Sequence, residues 1–336
     1  MTSTTNRQTS LALGVAFSAI LCVAHCTASE PRPGRVSGLR FMHDGKIVSS
    51  NYDGTVRQWD SRSGDEKRLF HGREVIYDQD ANDIGDIVVS GPKAVTLACV
   101  KSNCEHSLRL TARSEDSPLR VAVGPTGRRI VGGYVGDDLS LAVWKSPFHE
   151  PNGRIVIGPS EVELDGSKYT TNIARVLFGL DDSIIIAAVI GQGVMVYDVD
   201  SGGIKALLQP LQRDVVDVCL ARGTRRLIVV ASSGVVRGYD AGKWTNEWEQ
   251  RYKGDYVSCA ANDASSVFAL AGADGIIRVI ESSGGKEIAT IDTKAKRISA
   301  IAISEDGTQV AIGDRDGSVT LWSVENGQRI WQGGAK

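Results

Sequence analysis

VSGLRF-MHDG-KIVSSNYDG-TVRQWD-SRSGDEKRLF, residues 36–70, is one structural unit written out in full. An alternating apolar run leads into a turn at Asp44-Gly45, and a second run ends at Asp53-Gly54. A third run carries Val56 and Trp59-Asp60, and after a polar turn with Gly64 a short fourth run ends in Leu69-Phe70. Four short alternating runs with Gly or Asp at each corner predict an antiparallel four-stranded meander. The scheme recurs at the other end of the chain, residues 298–331, as ISAIAIS-EDGTQVAIGDRDG-SVTLWS-VENGQRIW. Asp306-Gly307 and Asp316-Gly317 take the two corners there, and Trp322 the third strand.

Five weaker copies fill the interval. They start near Val75 and at Leu119, Ile173, Val215 and Tyr256, with first corners such as Gly124-Pro125-Thr126-Gly127, Asp181-Asp182, Arg222-Gly223 and Asn262-Asp263. The third-strand position runs Trp59, Ala98, Trp144, Tyr197, Tyr239, Ile280, Trp322, at intervals of 39, 46, 53, 42, 41 and 42 residues. The two long intervals bracket Lys145 to Asn172, which reads as a loop insertion in the third unit. A period of about 40–45 residues with four strands per unit is that of a propeller blade. A lone four-stranded sheet leaves two apolar faces in water, whereas radial packing buries both and leaves short edges. The expected fold is therefore all-β, a seven-bladed β-propeller of four-stranded antiparallel blades spanning 36–336. Both ends supply whole blades, and Pro31 and Pro33 argue against a strand upstream of Val36 that would complete the last one.

Composition agrees. Of 336 residues 42% are hydrophobic and 23% charged, with a net charge of -2. That excludes a disordered chain, and without a basic excess no nucleic-acid partner is expected. Glycine, at 37 residues, exceeds the average usage of roughly 7%, and with 9 prolines it belongs to ordered corners.

DGTVRQWD, residues 53–60, resembles the WD40 repeat. The resemblance implies a propeller that binds proteins. Two family features are missing: no Gly-His pair precedes a first strand, since His71-Gly72 has the reverse order, and Trp-Asp occurs only at Trp59-Asp60. The network that ties that histidine to the tryptophan in the family is therefore not expected. Blade ends such as TLWSVENGQRIW also resemble the docking repeats of quinoprotein-like propellers, with Trp331 and Trp248 at the closing aromatic position. That second resemblance implies a cofactor-binding oxidoreductase or an outer-membrane assembly scaffold, in a family that usually has eight blades.

Ahead of the repeats, Leu11 to Val23 is an uncharged apolar run preceded by Arg7 and followed by Cys26-Thr27-Ala28-Ser29. This is the layout of a secretory signal peptide, 1–28, cleaved after Ala28, with 29–35 as a short linker. The run falls short of the roughly 20 apolar residues of a membrane span, so no span is expected in the mature chain. Lipidation at Cys22 or Cys26 is disfavoured by the large Leu21 and His25 before them. The expected location is periplasmic or extracellular. Four cysteines remain after cleavage. Cys99 and Cys104 flank a tight polar turn and form a candidate disulfide. Cys219 and Cys259 fall on first strands of adjacent blades with the same parity, pointing the same way round the ring, so no bond between them is expected.

No catalytic, cofactor or metal residue can be named. Of 5 histidines none pairs with another at ligand spacing, and no nucleophile elbow, P-loop or dinucleotide fingerprint occurs. Asp314-Arg315-Asp316-Gly317 reads as a turn rather than half a calcium loop. Arg128-Arg129 and Arg222, Arg225, Arg226 share one corner of different blades and read as solvated. Trp244, Trp248, Tyr252 and Tyr256 are spaced by four. With Arg251, the stretch Trp244, Trp248, Tyr252 is the candidate partner surface, although packing is the competing reading. The expectation is a monomeric, non-enzymatic propeller that binds one or more proteins.

Overall fold

Alternation along each run and a turn-forming residue at each corner generate the observed architecture. In the computed structural model the described residues are 34–82, 84–92, 94–99, 108–110, 117–135, 141–145, 154–157, 161–164, 167–170, 172–190, 193–208, 215–264, 266–295 and 297–334. The expected leader and the start of the linker lie outside them. Among the described residues all regular elements are strands: seven four-stranded antiparallel meanders and one separate two-stranded hairpin. The first strands are Val36–Phe41, Asp78–Ala81, Ser117–Val123, Asn172–Phe178, Val215–Ala221, Tyr256–Ala261 and Ile298–Ile303. Each touches the first strand of the next blade, and Ile298–Ile303 returns to Val36–Phe41. The chain is thus a closed seven-bladed β-propeller, and its first strands line a central channel.

The hydrophobic core is seven separate slabs, one between each pair of neighbouring blades. Strands in the middle of a blade pack on both faces and are buried throughout, as in Ile47–Asn51. Outer strands are solvated edges; Asn246–Arg251 exposes every residue but Trp248. Charged residues along such an edge discourage further strand pairing.

Two details differ from the sequence reading. The second blade begins at Asp78 rather than near Val75, with the polar Asp78-Gln79-Asp80 as its inner strand. The insertion after Lys145 is not all loop: Arg154–Ile157 is the outer strand of the third blade. Beyond it Glu161–Leu164 pairs with Ser167–Thr170 as the extra hairpin.

Ring closure uses no shared strand. Blades one and seven are each continuous in sequence and meet face to face. Trp331 stacks on Trp59 with centroids 5.9 Å apart and 21° between planes, and its indole N–H donates to the Ser61 carbonyl at 3.0 Å. Ser299 Oγ donates to the Val36 carbonyl at 2.7 Å. The backbones approach closely: a Cβ on Gly313 would sit 2.5 Å from Val36, and one on Gly333 2.5 Å from Trp59.

Candidate functional site

Inner strands and the corners that follow them carry the charged residues at the channel. Arg40 reaches Asp80 at 3.4 Å and Asp263 at 3.3 Å, and Arg222 binds Asp263 at 2.6 Å. Arg222 also donates to the Gly179 and Phe178 carbonyls at 2.9 and 3.1 Å. Towards the strand starts, Arg175 lies 3.5 Å from Asp78 and 3.6 Å from Asp217. Carboxylates also accept amide N–H groups of the following blade: Asp78 from Val121 at 3.2 Å, Asp80 from Val123 at 3.0 Å, and Asp217 from Cys259 at 2.9 Å. Several of these contacts reach beyond the neighbouring blade: Arg40 of the first blade meets Asp263 of the sixth, and Arg175 of the fourth meets Asp78 of the second.

The electrostatics follow from that placement. Burial would raise the Asp263 carboxyl, but Arg40 and Arg222 outweigh it and hold the group below the ordinary carboxylate range. For Asp78 burial dominates over Arg175 and Arg120, and its carboxyl lies above the ordinary range. Burial works against the Arg175 guanidinium, yet Asp217 and Asp78 raise its pKa, so it stays charged. A cavity in the channel, lined by Arg40, Asp80, Arg175, Arg222 and Cys259, has a volume of about 60 Å³. Ligand pockets run to several hundred Å³, so this cavity is too small for an organic redox cofactor. These residues work as cross-braces. Sequence reasoning missed them because an isolated Arg or Asp on a strand carries no signature, although Arg40, Arg120 and Arg175 recur on three first strands.

The candidate partner surface divides. Trp248 is half-buried: it stacks on Phe268 of the next blade at 6.2 Å and donates its indole N–H to the Ser282 carbonyl at 3.0 Å. This repeats the Trp331 dock, since Ser61 and Ser282 both lie two residues past the third-strand position. Each indole rests on a turn glycine with left-handed φ, Gly64 at +76° and Gly285 at +72°, where a Cβ would come within 3.1 and 2.9 Å of the ring. Tyr252 is buried and donates its hydroxyl to the Gly285 carbonyl. Trp244, at φ +61°, packs partly against the slab between the fourth and fifth blades. Arg251 is exposed and donates to the Ser233 carbonyl at 3.1 Å. With Ser233, Tyr252, Lys253, Gly254 and Asp255 it lines a shallow groove of about 470 Å³. Val257, on the inner strand that follows in sequence, is 43% exposed.

The remaining motifs resolve locally. Asp314 accepts the amide N–H groups of Asp316 and Ser318 at 2.8 and 3.0 Å, the geometry of a turn. Asp60 caps the next turn in the same way, accepting from Arg62 and Ser63 at 2.8 and 3.0 Å. Of the corner arginines, Arg129 pairs with Asp200 at 2.6 Å and Arg226 with Glu247. Trp59 donates to Ser49 Oγ at 2.9 Å, so its indole has a partner without a histidine. Cys99 is buried at the end of a third strand, while Cys104 lies outside the described residues.

Cys219 and Cys259 are free and buried, but the expectation that they point the same way is corrected. Strand register aligns Cys259 with Val218, because Val218 pairs with Val229 just as Cys259 pairs with Leu270. One residue of offset reverses the face, and the two thiols turn toward each other into the slab between the fifth and sixth blades. Among the described residues no group of three or more His, Cys, Asp or Glu is placed to hold a metal, and no helix is long and apolar enough to cross a membrane.

Comparison with known proteins adds two family matches. Residues 20–60 match the WD domain, G-beta repeat, and residues 243–332 match a model described as Vps42 beta-propeller. Telomerase protein component 1 of Rattus norvegicus is 24% identical over 229 residues, 67% of this chain. Its Mus musculus counterpart is 24% identical over 226 residues, again 67% of this chain. The chain spans 8% of the length of either relative.

Proposed function

We propose that this WD40-repeat propeller is an exported protein-binding or scaffolding module of the cell envelope or extracellular space, with no catalysis of its own. One observation carries the reading. The channel is cross-braced by ion pairs around a cavity of about 60 Å³, which favours the rims and outer faces as the binding surface. The groove lined by Arg251 and Lys253 is the partner surface, since arginine is among the side chains enriched at interfaces. Export rests on the apolar leader before Ala28. In that compartment Cys99 and Cys104 form a disulfide.

Proximity labelling in the native host, with wild type and an R251E/K253E variant, tests this. A specific set of labelled envelope proteins, lost in the variant at unchanged melting temperature, is expected. Identical labelling by both proteins would overturn the assignment of the surface.

The docked tryptophans favour a second reading, an outer-membrane assembly scaffold of quinoprotein-like shape. Trp248 and Trp331 hold their blades to the next by the same indole-to-carbonyl bond. Co-purification with outer-membrane assembly components, rather than with soluble partners, would favour it.

A further inference from the structure

Two cysteines on neighbouring inner strands face one another, and the proposed partner surface has no use for either. Cys219 lies on Val215–Ala221 of the fifth blade and Cys259 on Tyr256–Ala261 of the sixth. Both belong to the one hydrophobic slab between those blades, and both line the channel cavity. Asp217, two residues before Cys219 and on the same face of its strand, accepts the Cys259 amide at 2.9 Å and the Ser258 hydroxyl at 2.7 Å. The backbone bearing Cys259 is thereby anchored to the face that bears Cys219. Burial, and then the neighbouring Cys219 thiol, push the Cys259 thiol well above its ordinary range. A buried apolar site alone would suit valine at both positions. Two facing thiols bring a chemistry that valine lacks.

We propose that Cys219 and Cys259 are a modification site, a dithiol that oxidises to an inter-blade disulfide and staples the fifth blade to the sixth at the channel wall. The oxidant class is a low-molecular-weight disulfide. The Cys219 thiolate attacks one of its sulfurs, the reagent's S–S bond breaks, and one small thiol leaves. The Cys259 sulfur, losing its proton as it attacks, then displaces the second small thiol from the Cys219 sulfur of the mixed disulfide. Two electrons pass from the protein to the reagent, and the two protein thiol protons end on the small thiols. Cys219 attacks first because it is the more exposed, at 5% against 1%, and because Cys259 is held protonated. The staple spans about 40 residues of chain, so it constrains the unfolded state more than a hairpin bond would.

The purified full chain, incubated with 2-hydroxyethyl disulfide, quenched by alkylation and mapped by non-reducing tryptic digestion, tests this. The expected product joins peptide 214–222 to peptide 254–278, with a melting temperature about 5 °C above the reduced protein. Neither change should occur in C259S or in C219A. Recovery of both cysteines alkylated, or each carrying its own mercaptoethanol adduct, would overturn the proposal. Because this readout is chemical and local, it is unaffected by whether the Arg251 groove binds a partner.

Discussion

Replacing Trp331 by alanine should open the ring at its closure. The substitution removes the indole stacked on Trp59 and the hydrogen bond to Ser61. Truncating a fully buried Trp costs about 3–5 kcal/mol. Trp331 keeps an edge in solvent, which places it at the low end, about 3 kcal/mol. The aromatic pair and the hydrogen bond each account for about 1 kcal/mol of that. For a ring of about 300 residues the unfolding entropy is roughly 0.6 kcal/mol per degree, so the melting temperature should fall by about 5 °C. W331F keeps a ring but loses the donor and should fall by less than about 2 °C. Calorimetry reads the magnitude, and native-state hydrogen exchange locates it. In W331A protection should drop first in Val36–Phe41 and Ile298–Ile303; in W248A, in the fifth and sixth blades. A W331A shift below about 1 °C, or the same exchange map for both variants, would refute the reasoning that face packing alone closes the ring.

Other outcomes follow from the same contacts. Asp263, held low by Arg40 and Arg222, contributes stability that is complete above its unfolded pKa near 4 and lost as pH falls through its lower folded value. D263N should therefore cost about 2 kcal/mol at neutral pH, with the deficit shrinking in an acid-unfolding series as pH falls through the folded value. Asp78 has the opposite sign: its folded pKa is raised, so stability is lost as pH rises from about 4 through the folded value, and D78N should flatten that part of the curve. A Cβ at Gly238 would overlap the Trp248 indole, so G238A should cost about 2 kcal/mol by thermal denaturation. G284A, whose Cβ would meet nothing within 4 Å, is the near-neutral control. Intact mass of the protein recovered from its native host should begin at Ser29; retention of residues 1–28 would contradict the leader.

The fold was legible because it is built from local signals repeated seven times. Asp44-Gly45, Asp53-Gly54 and Trp59-Asp60 each specify a turn or strand within a few residues, and the same corners recur to Asp316-Gly317. Third-strand positions from Trp59 to Trp322 all lie on third strands.

What depends on which blade meets which could not be read the same way. Arg40 and Asp263 are more than two hundred residues apart and meet only because the ring returns its first blade beside its last. Trp248 and Tyr252 have interface chemistry in sequence, yet the turn of the next blade supplies Ser282 and Gly285 to receive them. The facing of Cys219 and Cys259 hangs on a one-residue offset between strands that never pair with each other. Sequence by itself determined the blades, their number and the corners between them, since those arise from short-range turn chemistry and strand alternation. Tertiary structure alone decided how the ring closes, which charges brace its channel and which side chains remain to bind. Those are contacts between elements that share no local pattern.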